Sequence, residues 1–338
     1  MYKIKTRYSQ FDLISLSETL AEIYELSAPL KCQFYRNGLN DTYKITDANG
    51  DIYYLRISLT EVHTTTDIEE EIAVILCCRR GNLNVVEPIA CSDEKYVWEV
   101  IAPEGKRQAV LFREVINKPA QNPDSETMYR NLGSQIAGIH TVTQSMIKEM
   151  HRPLIDKTML SERPLKLLKP YLHHRMADYD FMKRTNQVLW NYITENLSND
   201  SSFYGVCHGD IQPGNYFFID EDPFIFDFDC MGYGYYAYDL GVLLGNMTFM
   251  DNDIYKKPLW NWILDGYSSV RTLDPRENKS VYAFAALQMM RVLAYHVELT
   301  EQDNGVFYYT SDNHLNMFIG AYRRLFEVAC TECGLHIS

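Results

Sequence analysis

The sequence predicts an α+β fold in two lobes: a small antiparallel sheet carrying one helix, then a larger and mostly helical part. Three observations predict it. Runs rich in aromatic and β-branched residues crowd into residues 31–58, the apolar spacing turns helical from residue 125 onward, and Asn117, Lys118, Pro119, Asn122 and Pro123 break regular structure in between. The expected lobes are residues 1–115 and 116–338.

In the first lobe, residues 31–36, 41–46 and 51–58 read as strands. Ala48-Asn49-Gly50-Asp51 marks a tight turn. A two-residue loop there pairs Ala48 with Asp51 and sets Arg56 opposite Tyr43. The segment Arg36-Asn37-Gly38-Leu39-Asn40-Asp41 joins the first two strands. It reads either as an ordinary turn or as a loop whose backbone amides approach phosphate oxygens. A helix follows, with Thr66-Asp67-Ile68-Glu69 as its capping box, Ile68, Ile72, Ile75 and Leu76 at helical spacing, and Arg79-Arg80-Gly81 at its end. Glu69 and Glu71 flank its apolar face. With Glu69 engaged in the cap, Glu71 is the better partner for Arg56, although an acidic first turn is also what a helix dipole favours. Residues 109–115 read as a buried strand leading to the lobe boundary.

In the second lobe, Ser125 caps a helix whose stripe runs through Met128, Leu132, Ile136, Ile139 and His140. His140 is expected to be a satisfied core histidine. Residues 161–195 and 255–335 read as further helices, and Tyr235–Gly241 opens another. Asp239 within it either caps and orients a neighbouring loop or is an ordinary helix N-terminal acid.

The most specific signal lies between residues 206 and 229. His208-Gly209-Asp210 is followed by Asn215 five residues after the Asp, and by Asp227-Phe228-Asp229 twelve further on. This is the spacing of a kinase catalytic loop: an Asp that handles the acceptor hydroxyl, an Asn metal ligand and a second metal-binding Asp. Phosphoryl transfer asks the protein chiefly for alignment and charge neutralisation, and Mg2+ takes hard oxygen ligands such as these. Residues 216–219 and 224–228 flank the turn Asp220-Glu221-Asp222-Pro223 and read as a hairpin. A four-residue loop puts Asn215 opposite Phe228, and one-residue slips put it opposite Asp227 or Asp229, so register leaves open which Asp leads. His208 is expected to brace the loop through hydrogen bonds.

Together these residues resemble the aminoglycoside phosphotransferase / choline kinase-like family, small-molecule relatives of protein kinases, over residues 30–300. The resemblance rests on Gly38-Leu-Asn-Asp-Thr-Tyr-Lys-Ile, Tyr54-Leu-Arg-Ile, Glu71 ten residues before Gly81, Leu132–His140, His208-Gly-Asp with Asn215, Asp227-Phe-Asp and Asp239-Leu. It implies a bilobal protein-kinase-like fold and ATP with Mg2+ as cofactors. Asp210 would orient or deprotonate the acceptor hydroxyl, Asn215 and Asp227 would hold the metal, and Arg56, paired with Glu71, would contact ATP phosphates. Arg113 to Val115 are candidates, by position, for adenine contacts. Arg56 stands where many members carry Lys, offering a fork in place of a point charge. Asp229 replaces the Gly of protein kinases and no Lys follows Asp210 at the second position, which points to the small-molecule branch. The implied partner is a small, aminated acceptor with a hydroxyl. Asp178, Asp180, Glu301 and Asp303 read as solvated surface charge, with amine binding as the other reading. A kinase-fold protein acting on proteins, or a degenerate binding member, is the alternative, and retention of Asp210, Asn215 and Asp227 argues against degeneracy. A metal-dependent hydrolase using His208, Asp210, Asp227 and Asp229 would want further His ligands nearby in sequence.

Composition agrees with a soluble globular chain of 338 residues, 46 % hydrophobic and 23 % charged. The net charge of −13, from 45 acidic and 32 basic residues, argues against nucleic-acid binding. Residues 1–13 lack the apolar stretch of a secretory signal and no run suits a membrane span, so a cytoplasmic location is expected. The eight Cys form no disulfide pattern, and Cys330-Thr-Glu-Cys333 lacks a second ligand pair for zinc.

Overall fold

The computed structural model describes residues 6, 8–38, 40–60, 62–116, 124–146, 151–301 and 307–335. The chain forms two compact units, residues 1–118 with 149–151, and residues 119–148 with 152–338. Most of the expected boundary stretch, 117–123, lies outside the described residues.

The first unit opens with a helix absent from the sequence reading, α1 (Leu13–Ile23), started by the Asp12 side chain accepting from the Ser15 amide. Strands β1 (Lys31–Arg36), β2 (Asn40–Thr46) and β3 (Ile52–Ser58) follow, then α2 (Thr65–Arg80) and strands β4 (Pro88–Ile89), β5 (Trp98–Ala102) and β6 (Gly105–Arg113). They make one sheet in the order β1-β2-β3-β6-β4, with β5 also paired to β6. Alternation along β2 and β3 buries Tyr43, Ile45, Leu55 and Ile57 against Leu16, Leu20 and Tyr24. That leaves Thr42 and Arg56, which are direct cross-strand partners, pointing to the opposite face.

Three local expectations are corrected here. The β2–β3 turn is one residue longer than expected: Asp47 bonds across to Asp51, and Arg56 lies opposite Thr42 rather than Tyr43. The reason is the Asp47 carboxylate, which accepts from the amides of both Asn49 and Asp51, while Gly50 takes the left-handed conformation a three-residue hairpin loop needs. The cap of α2 is Thr64 with Asp67, not Thr66 with Glu69. The buried strand starts at Gly105 and stops at Arg113, so Val115 lies beyond it.

The second unit contains α3 (Glu126–Val142), β7 (Leu154–Ile155), α4 (Arg163–Leu168), α5 (Met176–Asn196), strands β8 (Tyr204–Cys207), β9 (Tyr216–Ile219), β10 (Asp222–Ile225) and β11 (Gly232–Tyr235), and helices α6 (Ala237–Met250), α7 (Pro258–Val270), α8 (Pro275–Glu301) and α9 (Asp312–Cys333). Ser125 caps α3 as expected, through the Met128 amide. α3 and α7 cross closely because a Cβ on Gly133 would meet the Ile263 carbonyl at 1.9 Å and one on Gly266 the Arg130 carbonyl at 1.9 Å. The Ala- and Met-rich centre of α8, residues 283–290, is buried throughout and is the spine of the helical layer. A three-stranded sheet, β7-β11-β8, leads into the loop at residue 208. No helix among the described residues is long and apolar enough to cross a membrane.

Candidate active site

In the first unit Arg56 and Glu71 form a two-pronged ion pair, Nη1 to Oε1 at 2.8 Å and Nη2 to Oε2 at 2.7 Å. Glu71 is fully buried and Arg56 is 11 % exposed. The pair forms because Arg56 lies on the face of β3 away from the apolar core, where the buried stripe of α2 carries Glu71. Glu71 is the partner expected for Arg56, but for a different reason: Glu69 is exposed because of its place on the helix, not because a cap engages it. At the end of β6 the Arg113 guanidinium is half exposed and pairs with Glu87 at 2.8 Å, its amide bonds the Glu87 carbonyl, and Val115 is half-buried.

In the second unit β8 delivers the chain to His208. Asp239, fully buried in the first turn of α6, accepts from the amides of His208 and Gly209, each at 2.8 Å, and from His140 Nε2 at 2.9 Å. His140 Nδ1 meets the Tyr267 hydroxyl at 2.9 Å. A carboxylate only accepts, so Nε2 carries the proton and Nδ1 accepts from Tyr267. Burial lowers the His140 pKa against the opposing pull of Asp239, which keeps this ring neutral. Asp239 therefore orients the loop, the first of the two expected roles, and His140 is the satisfied core histidine expected of it.

His208 is fully buried and braces the loop. Its Nε2 meets the Phe226 carbonyl at 3.1 Å and its Nδ1 accepts the Asp210 amide at 3.3 Å. Gly209 has φ +82°, and a Cβ there would meet the Cys230 carbonyl at 2.1 Å, so this approach of the loop to the segment after Asp229 requires glycine. The Asp210 carboxylate is half-buried and accepts at Oδ2 from Asn215 Nδ2 at 2.7 Å and Gln212 Nε2 at 2.8 Å.

The β9–β10 hairpin corrects the predicted register. Ile219 pairs with Asp222, and the Phe226 amide bonds the Asn215 carbonyl at 3.0 Å, so Asn215 faces Phe226, outside the one-residue range around Phe228 that was allowed for. The loop is the two residues Asp220-Glu221, with Asp220 at φ +55°. In this register Pro223 falls at a pair where no amide is asked to bridge the strands, so the proline that suggested a longer turn fits inside the strand. Asp227 thus follows directly on the cross-strand partner of Asn215. It holds a left-handed conformation, φ 65°, ψ 62°, a strained setting for a residue with a Cβ. Asp229 is buried, in a helical turn.

Arg152, buried and not singled out in the sequence, clamps this turn by donating to the carbonyls of Phe228, Asp229 and Met231. No periodicity marked it. The acidic residue Asp178 is engaged by Arg175 and Arg323, each at 2.7 Å, which supports the reading as surface charge, and Asp180 is exposed. The side chains of Glu301 and Asp303 lie outside the described residues. All eight cysteines are free thiols.

Residues 32–273 match the Phosphotransferase enzyme family. The chain belongs to this family. Within the family fold, the chain is similar to a solved microcompartment-associated aminopropanol kinase (TM-score 0.75, 18 % identity, 96 % of this chain and 100 % of that one). It is also similar to amicoumacin kinase in complex with AMP-PNP, Ca2+ and amicoumacin (TM-score 0.74, 18 % identity, 94 % of each chain). In sequence it is 28 % identical over 292 residues to an uncharacterized protein of Synechocystis sp., covering 86 % of this chain and 80 % of that protein. These neighbours share the mixed fold, an antiparallel sheet in the amino-terminal part and helices in the carboxy-terminal part, which is the fold class the sequence predicts.

Proposed function

We propose that this protein is an ATP-dependent phosphotransferase that moves the γ-phosphate to a hydroxyl of a small, aminated molecule, with residues 1–115 as the nucleotide-binding lobe and residues 116–338 as the catalytic and acceptor-binding lobe. The observation that carries the reading is the loop itself. Asp239 fixes the backbone before Asp210, and Asn215 and Gln212 fix the Asp210 side chain.

Asp210 is the acceptor-side carboxylate: it accepts the hydroxyl hydrogen bond and takes its proton as the new oxygen–phosphorus bond forms and the γ-phosphorus parts from the β-phosphate oxygen, releasing ADP. The Asn215 amide spends Nδ2 on Asp210, which leaves Oδ1 as a hard oxygen donor, and Asp227 supplies a carboxylate. This donor set fits Mg2+, whose role when bound is to neutralise phosphate charge. The strain at Asp227, absent at Asp229, supports Asp227 as the leading ligand. Arg56, held by Glu71, contacts nucleotide phosphates, and the backbone of Arg113 to Val115 contacts adenine. A cytoplasmic location follows the same reading. The test is a screen of amino-alcohols, aminocyclitols, aminoglycosides and homoserine-like hydroxylated amino acids, scored as ATP consumed above a blank without acceptor. Consumption no higher than the blank with every acceptor would sink the proposal.

A further inference from the structure

α8 interrupts its apolar run Ala285-Ala-Leu-Gln-Met-Met-Arg-Val-Leu-Ala294 with a cation, Arg291. Its side chain is half-buried and Nη1 donates to the Tyr238 hydroxyl at 3.2 Å and the Gln288 amide oxygen at 3.4 Å. Tyr238 gives its own proton to Gln288 at 2.6 Å, so both groups present oxygen lone pairs to the guanidinium, and both are fully buried. The Cys230 thiol is a further hydrogen-bonding neighbour. All of these partners are neutral, and among the described residues no carboxylate forms an ion pair with Arg291. Burial works against its charge, while Tyr238, Cys230 and Asp210 hold its pKa up.

A guanidinium has five donors in a planar fork, a shape matched to a carboxylate or a phosphate, and a partly desolvated one is costly without an anion. Here the fork is backed by the buried Tyr238–Gln288 pair and lies beside Cys230, whose carbonyl packs on Gly209, the residue before Asp210. By contrast, Asp178, one of the four acidic residues offered for an amine, is neutralised by two arginines.

We propose that the acceptor carries an oxyanion, a carboxylate or phosphate group, beside the hydroxyl that Asp210 receives, and that Arg291 binds it. This rests on the reading of Asp210 as the acceptor-side carboxylate and adds the substrate's charge. Arg291 then selects hydroxylated amino acids or sugar and polyol phosphates over the corresponding amines and neutral alcohols, and spares Asp210 a second nearby negative charge.

The test uses matched pairs on the full-length protein with ATP and Mg2+: homoserine against 3-aminopropan-1-ol, and glycerol 3-phosphate against glycerol. Each is measured with wild type, Arg291→Gln and Arg291→Lys, beside thermal melts. The acid of at least one pair should be preferred by about tenfold or more in kcat/KM. Arg291→Gln should raise the KM for that acid by roughly 10–100-fold, the scale of a charged hydrogen-bonded contact, and by at least tenfold more than for its neutral partner, with Arg291→Lys recovering part. Whichever pair responds identifies the anion. Equal use of both members of each pair, or an equal loss in kcat for both in Arg291→Gln, overturns the proposal and assigns Arg291 to the transferring phosphoryl group or to the fold. Calorimetric titration of both acids into the AMP-PNP complex separates the two claims. Binding that Arg291→Gln abolishes, with no acceptor ever phosphorylated, keeps the oxyanion site and sinks the kinase reading. Phosphorylation without anion preference does the reverse, and no binding of either acid to wild type ends the proposal.

Discussion

Asn215 donates its side-chain amide to both the carboxylate and the carbonyl of Asp210, at 2.7 and 2.9 Å, so the proposed metal ligand and the proposed acceptor carboxylate are one hydrogen-bonded unit. The amide cannot turn without losing both bonds, and the oxygen it leaves over is held in a fixed direction. Nucleotide binding should therefore depend on Mg2+, and Asn215→Ala should weaken metal-dependent binding by at least the roughly 10–100-fold that outer-shell losses cost. Calorimetry with and without the metal checks this; equal ATP affinity in both conditions counts against Asn215 and Asp227 as ligands.

Arg56→Ala strands Glu71 as an unpaired buried carboxylate, so about 3–5 kcal/mol of stability should go with it. Arg56→Lys should keep part of both stability and nucleotide affinity. The double substitution Arg56→Met, Glu71→Met should recover most of the melt but not the affinity. If nucleotide titration of the double variant returns a wild-type affinity, Arg56 does not contact phosphate.

Asp239 accepts three N–H groups in a fully buried setting. In Asp239→Asn one oxygen becomes a donor facing a donor, at a cost of about 2–4 kcal/mol, one lost charged bond plus one stranded group. A denaturant melt measures it. A loss under 0.5 kcal/mol would show that the loop holds its shape without Asp239.

Glu277 is 1 % exposed, and burial raises its pKa to about 7 despite the opposing pull of the Arg271 charge and the Asp274 backbone. The folded pKa lies above the unfolded one, so the folded state binds more protons between pH 4.5 and 7 and stability falls as pH rises through that window. The loss is about 3 kcal/mol, complete above pH 7. Glu277→Gln should remove this slope, gaining on wild type at pH 8 and not at pH 4.5. Parallel melting curves for the two proteins across that range would refute the assignment.

The loop proposed as catalytic was legible because the spacing of His208, Asp210, Asn215 and Asp227 is a local property of the chain. Strands β1, β2, β3 and β6 were legible as apolar, aromatic and β-branched runs between turn residues, β4 and β5 were not read, and Glu71 was legible through its place on a helical stripe. What was missed depends on contacts that sequence does not encode locally. Turn length at Asp47 hung on a side chain accepting two amides, and the β9–β10 register on a left-handed Asp220. Arg152 grips carbonyls more than 70 residues away in sequence. Arg291 did leave a signal, one cation inside an apolar run, but helical periodicity searches for apolar residues and passes over the exception.

The most direct measurement of the central claim is Asp210→Asn, followed by turnover, a thermal melt and a nucleotide titration on the same preparation. The substitution keeps the shape of the side chain and removes both charge and base. General-base contributions of about 10²–10⁴-fold set the expected loss in turnover, equivalent to roughly 3–5 kcal/mol of barrier. Nucleotide affinity and melting should stay close to wild type, because Asn215, Asp227 and Arg56 are untouched. A variant that melts normally, binds nucleotide normally and still phosphorylates its acceptor at the wild-type rate would contradict the role given to Asp210, and with it the mechanism.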